Sequence, residues 1–155
     1  MKKYLNERSM CIHNKQYTSP QEWFNLYTKF QKIEPRLVQI SNFNDKELSF
    51  EMEKIKGFGL SDFDQIKKLS IKERRNIMSE VISLWGELQS FTIDETFTFV
   101  HKDFCVNNLM YDTNKKQVKL IDPDAFQKEA PRQFAPIFHG PFIDTLYNMK
   151  QWERL

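Results

Sequence analysis

Phe99-Val100-His101-Lys102-Asp103-Phe104-Cys105-Val106-Asn107-Asn108-Leu109-Met110-Tyr111-Asp112 is the stretch that decides how the chain is read. A few residues later comes Val118-Lys119-Leu120-Ile121-Asp122-Pro123-Asp124. Phe97, Phe99 and His101 alternate with Thr98 and Val100, the period-two pattern of a strand. Leu109–Tyr111 and Gln117–Ile121 predict two short strands joined by a turn at Thr113-Asn114. Such a hairpin would carry Asn108 and Asp122 to one end of a two-stranded ribbon, although 14 positions separate them in the chain.

The spacing His101-x-Asp103-x-x-x-x-Asn108, followed by Asp122, supplies a carboxylate, an amide and a second carboxylate. Phosphoryl transfer needs that set. A carboxylate must orient the acceptor hydroxyl and receive its proton, oxygen ligands must hold Mg²⁺ on the nucleotide phosphates, and all must sit on a rigid frame. Asp103 suits the first role. Asn108 and Asp122 suit the second, because Mg²⁺ prefers hard oxygen ligands. Asp124 either helps bind a second Mg²⁺ or caps the following turn. Asp and Asn are also common turn formers, so Asn107-Asn108 alone decides nothing. Cys105 lies inside the segment without an evident paired base, and reads as a packed thiol rather than a nucleophile. His13 and His139 have no ligand-spaced partners, so no zinc site is expected.

Outward from this segment, residues 8–17 suit a strand. Ser19-Pro20-Gln21-Glu22 predicts a helix start: Ser19 as cap, Pro20 at the first helical position, Glu22 closing a capping box. Trp23, Leu26, Tyr27 and Phe30 follow at helical spacing, and Pro35 ends the helix. Leu37–Ile40 and Leu48–Ile55 read as strands around an Asn44-Asp45 turn. Ser61 and Ser70 read as two further caps, the second in a capping box with Glu73. Behind Ser70, the positions Ile77, Val81, Leu84, Trp85 and Leu88 form one apolar stripe, a core-facing helix. The element order is mixed α/β without regular βαβ alternation.

The run His-x-Asp-x-Cys-x-x-Asn-x-x-Tyr-Asp from His101 to Asp112, then Lys119-Leu120-Ile121-Asp122-Pro123, resembles the kinase-like phosphotransferase superfamily. That superfamily includes aminoglycoside and choline kinases and, more distantly, protein kinases. The run is most similar to phosphotransferases encoded with bacterial capsular polysaccharide genes. Glu53-Lys54-Ile55-Lys56-Gly57-Phe58-Gly59-Leu60 resembles the superfamily's hinge between lobes, and Gly140-Pro141-Phe142-Ile143-Asp144-Thr145-Leu146 its later Gly-Asp-x-x-x-Asp-Leu segment. The resemblance implies an α+β, minimal protein-kinase-like fold. Residues 1–56 would form a reduced N-terminal strand-helix-strand lobe, and 57–155 a helical C-terminal lobe carrying the catalytic loop. It implies adenine binding by backbone groups near Glu53, Lys54 and Ile55. Lys15 is the nearest candidate for the phosphate-contacting lysine, and Glu22, besides its capping reading, for the helix glutamate that pairs with it. His101 would be a framework residue bonded to backbone, and Asp144 would support the catalytic loop from below. Two departures stand out: the chain lacks a Gly-rich loop, and it runs only a few residues past Asp144, where the family's carboxy-terminal helices follow.

Bulk properties set the outer limits. The chain has 155 residues, 40% of them hydrophobic and 14 of them Phe, enough for a packed core. Its 23 Lys+Arg nearly balance 21 Asp+Glu, so charge gives no reason to expect nucleic-acid binding. Two cysteines without a CxxC pair suit a reducing compartment, and no 18-residue apolar span or signal peptide is evident. The expectation is a cytoplasmic protein without membrane partners. It would use ATP and Mg²⁺ to phosphorylate a hydroxyl acceptor: a sugar, another small molecule or a protein. The alternative is a catalytically degenerate module that binds a nucleotide or a protein. An oligomer in which a partner chain completes the lobe also stays open.

Overall fold

The longest helix begins where Ser70 and Glu73 satisfy each other. Ser70 Oγ accepts from Glu73 N at 3.1 Å, and Glu73 Oε2 accepts from Ser70 N at 2.7 Å. This reciprocal cap quiets two of the donors that every helix start leaves unpaired. In order along the chain, the helices are α1 (Pro20–Gln31), α2 (Phe63–Lys67), α3 (Ile71–Leu88) and α4 (Gly140–Gln151). α3 buries Ile77, Val81, Leu84, Trp85 and Leu88, the stripe expected from their spacing. Each such side chain contributes about 1.5–3 kcal/mol on leaving water. The computed structural model of the protein describes residues 1–5, 19–129 and 140–154. The strand expected over 8–17 lies outside them.

α1 starts as its sequence suggests. Ser19 Oγ accepts from Glu22 N at 3.3 Å, with Pro20 in the first turn. It turns Trp23, Tyr27 and Phe30 inward. Phe30 stacks on Phe91 and Phe99 with ring centroids 4.4 and 5.4 Å away, and Phe99 stacks on Phe126 at 4.8 Å. Four of the 14 phenylalanines thus stack into one aromatic cluster that ties α1 to Phe99 and Phe126, on either side of the segment between them. α2 is capped one residue later than expected: Asp62, not Ser61, accepts from Gln65 N. A carboxylate caps as well as a hydroxyl and adds charge complementary to the helix dipole.

The strands form three small sheets. β1 (Lys2–Tyr4), β3 (Ser49–Met52) and β2 (Ile40–Asn44) lie in the order β1-β3-β2. β4 (Gly57–Gly59), β6 (Leu109–Asp112) and β7 (Gln117–Leu120) form the second sheet in that order. β5 (Thr98–His101) pairs with β8 (Phe126–Glu129). The strand expected at Leu37–Ile40 is displaced to Ile40–Asn44, because Leu37 is drawn instead into a parallel bridge with Leu120. There Val38 N donates to Leu120 O and Leu120 N to Arg36 O, which fastens the segment after α1 to the edge of the second sheet. The described residues of 57–154 thus carry five strands beside their helices, more β structure than a helical lobe implies. No helix among the described residues is long and apolar enough to cross a membrane.

Arg74 closes the helical side. Buried on α3, it donates to the carbonyls of Ile66, Lys67, Leu69 and Trp152. One guanidinium thereby gathers carbonyls at and just beyond the C-terminal end of α2 and ties Trp152 to them.

Gly57 is required by close approach rather than by an unusual dihedral. A Cβ there would sit 1.8 Å from Tyr111 O, whereas one at Gly59 would meet nothing nearer than 3.7 Å. Gly57→Ala should therefore cost at least about 2 kcal/mol of unfolding free energy in urea, and Gly59→Ala much less, on the scale of ordinary overpacking. Equal losses in the two variants would contradict this packing.

Candidate active site

The β6–β7 ribbon places the first two groups. Leu109 pairs with Leu120, and Ile121 N donates to Asn108 O at 2.8 Å, so Asn108 and Asp122 stand side by side at one end. At the other end Asp112 Oδ1 accepts from Asn114 N and Lys115 N, both at 3.0 Å, and closes the turn that sets this register. Asp122 has φ 63° and ψ 60°, the left-handed region. Non-glycine residues rarely sit there, and a residue before proline is ordinarily extended. Strain of this kind, on the order of 1–3 kcal/mol, concentrates at functional sites.

His101 holds the turn in place from β5. Its Nδ1 accepts from Asp103 N at 3.2 Å, which puts the proton on Nε2. Nε2 then faces the carbonyls of Ile121 and Asp122 at 3.3 and 3.2 Å. Burial is the main cause that lowers its pKa to about 4, outweighing those carbonyls and the nearby Asp103 and Asp124. The ring is neutral at physiological pH and acts as a framework strut between Asp103 and Asp122, as the sequence resemblance implied.

Asp103 meets Asn108, five positions along the chain. Asn108 Nδ2 donates to Asp103 O at 2.8 Å and to Asp103 Oδ2 at 2.9 Å. Both amide hydrogens are thus engaged, which leaves Asn108 Oδ1 as the group able to meet a cation. Cys105 Sγ lies 3.6 Å from Asp103 Oδ1. Beneath the loop, Phe104 is fully buried against Trp85, and Thr145 Oγ1 reaches Phe104 O at 3.4 Å. The support from α4 therefore comes through Thr145, while Asp144 is exposed.

Asp122 and Asp124 face one another. The Asp122 carboxyl is pushed up to about 7, first by its hydrogen bond with Asp124, then by burial, then by the charges of Asp124 and Asp103. Carboxyl groups crowded this way hold either a shared proton or a cation. The donor set fits Mg²⁺: carboxylate and amide oxygens, with few protein ligands, since this ion keeps several waters and takes phosphate oxygens as well. Among the described residues no group of three or more His, Cys, Asp or Glu is arranged to hold an ion by itself.

The remaining sequence candidates lie elsewhere. Glu53, Lys54 and Ile55 form the connection between β3 and β4. Glu53 N donates to Gln39 O at 2.9 Å. Its carboxylate accepts from Gln39 N and from Lys119 Nζ, each at 2.9 Å, with Lys115 at 3.7 Å. Burial pushes that carboxyl up, but Lys119, Gln39 and Lys115 together hold it below its ordinary value. Lys119, almost fully buried, also donates to Pro35 O at 2.8 Å. Glu53 is thus chiefly a clamp on β7, a role the sequence did not suggest. Glu22 accepts from Lys128 Nζ on β8 at 2.7 Å, and the same ammonium lies 4.6 Å from the Phe97 ring centroid. Lys15 lies outside the described residues.

No family model matches the chain, and no curated protein is similar to it. Solved structures similar to it include the PK-1 kinase of Cydia pomonella granulovirus, at a TM-score of 0.49 and 23% identity. That match covers 68% of this chain and 38% of the viral kinase, so the chain spans well under half of it. A superposition of that quality leaves the site to be read from its own geometry.

Two measurements check this arrangement. His101 binds its proton less readily folded than unfolded, so its contribution to stability is complete above the unfolded pKa and is lost as pH falls toward the folded one. Between about pH 7.5 and about pH 5 the wild type should lose roughly 2 kcal/mol from this group alone, and His101→Asn should show a correspondingly shallower decline in urea titrations. Glu53→Gln should cost about 2–4 kcal/mol, because it strands a buried ammonium. Lys119→Met should cost less, since Glu53 keeps Gln39 N and Lys115, and the double variant should cost less than the sum of the two.

Proposed function

We propose that the protein is a kinase-like phosphotransferase that moves the γ-phosphoryl group of ATP to a hydroxyl. One observation carries the reading: Asp103, tied to Asn108, stands at the same end of the ribbon as the crowded pair Asp122 and Asp124. In this scheme Asp103 orients the acceptor hydroxyl and receives its proton. The acceptor oxygen bonds to the γ-phosphorus as the bond from that phosphorus to the β,γ-bridging oxygen breaks, and ADP leaves. Asn108 Oδ1 and Asp122 hold Mg²⁺, with Asp124 toward a second ion. The ion's contribution is to neutralise charge gathered on the phosphates.

The nucleotide would lie between residues 1–56 and residues 57–155. Because Glu53 N already bonds Gln39 O, adenine would be met by the Glu53 carbonyl and the Ile55 N–H, with Lys54 pointing to solvent. Lys15 remains the candidate for a phosphate contact, with Glu22 as its partner. The acceptor is a sugar, another small molecule or a protein; the resemblance to capsular phosphotransferases favours a carbohydrate. The protein would work in the cytoplasm, without nucleic-acid or membrane partners.

A second reading is a nucleotide-binding or protein-docking module without turnover. Residues 1–56 contain no glycine, so they offer no glycine-rich backbone lid over the phosphates. A screen for phosphoryl transfer from labelled ATP to sugars, lipids and proteins separates the two. Asp103→Ala should lower turnover by about 10²–10⁴-fold while Mg·ATP still raises the melting temperature. Asp122→Ala should abolish turnover and the Mg·ATP shift together. Unchanged ATP consumption in both variants would sink the phosphotransferase assignment, and no thermal shift at saturating nucleotide would favour the docking module.

A further inference from the structure

The backbone around Asp103 is held at several points. Asp103 N donates to His101 Nδ1, Phe104 O accepts from Thr145 Oγ1, and Asn108 N donates to Cys105 O at 2.9 Å. What these bonds leave free is the Asp103 carboxylate itself. Rotation about the terminal bond of an aspartate is soft and broadly distributed. A single donor on Oδ2 fixes one oxygen and lets the plane swing about it. A carboxylate that must meet an acceptor hydroxyl at a set angle needs its second oxygen tethered too.

We infer that Cys105 is a positioning residue for Asp103: its S–H donates to Oδ1 while Asn108 donates to Oδ2, so that the carboxylate plane is fixed from both oxygens. Cys105 sits in extended backbone at φ −146° and ψ 167°, immediately before the one-turn 3₁₀ helix Val106–Asn108. Cys105 stands at the head of that turn and Asn108 at its end, so the thiol and the amide reach the carboxylate from one short segment. Burial first, and then the charge of Asp103, push the thiol's pKa above its ordinary value, which keeps the proton on sulfur. The same shift makes Cys105 a poor nucleophile. A thiol is a weak donor that neither competes for the acceptor's proton nor brings charge beside the Asp122–Asp124 pair.

The inference rests on the reading of Asp103 as the acceptor-orienting group, and its test has one arm that needs no turnover. In the full chain, Cys105→Ala should lower kcat by about tenfold with the KM for Mg·ATP unchanged, and Cys105→Ser, which restores an O–H donor, should recover most of the loss. The carboxyl-carbon NMR resonance of Asp103, read at neutral pH, should move in Cys105→Ala and return in Cys105→Ser, with the Asp112 resonance unmoved. If both variants match the wild type, or if serine does no better than alanine in either readout, the positioning role is overturned. A wild-type chain that transfers no phosphoryl group overturns the phosphotransferase reading alone, and the resonance then decides the hold of Cys105 on Asp103 by itself.

Discussion

The antiparallel register of β6 and β7, with Leu109 opposite Leu120, sets the separation of Asn108 and Asp122, and the other contacts of the site depend on it. A slip of one residue would turn every side chain of the ribbon to its other face. It would exchange Val118 and Leu120, both buried, for Lys119 and Gln117. Three things oppose that slip. Asp112 closes the turn, Glu80 Oε1 accepts from Val118 N at 2.8 Å, and the Leu37 bridge grips Leu120 from the opposite edge. Each is a modest interaction, about 1 kcal/mol, but a register is decided by their sum together with the buried faces.

The buried charged groups around the ribbon are answered by specific partners, whereas the indole N–H groups of Trp23 and Trp152 are not. Lys119 goes to Glu53 and Pro35, Arg74 to four carbonyls, and His101 to one N–H and two carbonyls. Arg36 holds Glu34 by two parallel bonds, at 2.7 and 3.0 Å, and reaches Glu80 O on α3. Satisfied networks of this kind define one arrangement where an apolar core alone would tolerate several. Left-handed backbone also occurs at Asn42, Leu48 and Lys116, but at Asp122 it coincides with crowded carboxyls.

Local signals carried much of this from the sequence. The caps at Ser19 and Ser70, the apolar stripe of α3, the strand ending at His101 and the β6–β7 hairpin all follow from spacing and turn chemistry. What could not be read depended on partners distant in the chain. β8 has no strand-like alternation of its own and exists because β5 pairs with it. β4 is three residues long and owes its place to Gly57 lying against Tyr111. Lys119 looks solvent-facing until Glu53 and Pro35 arrive, 66 and 84 positions away. Cys105 reads as packing because its partner Asp103 is one whose orientation only the loop conformation reveals.

The two carboxylates at the centre differ in the company they keep, and under the proposed phosphotransferase reading that difference would separate their roles. Asp103 is met by neutral donors: an amide on one oxygen and a thiol near the other. Donors of that kind orient a carboxylate without neutralising it, and they leave lone pairs for a further hydroxyl. Asp122 is met by Asp124, with the negative charge of Asp103 beyond it, and the three together call for positive charge. A divalent cation placed there would relieve the crowding, and it would have no comparable reason to settle on Asp103. Environments that set two carboxylates apart in this way are how a single site keeps its acid–base group and its metal group distinct. In the proposed site that separation would come from one ribbon end and the short loop between Asp103 and Asn108.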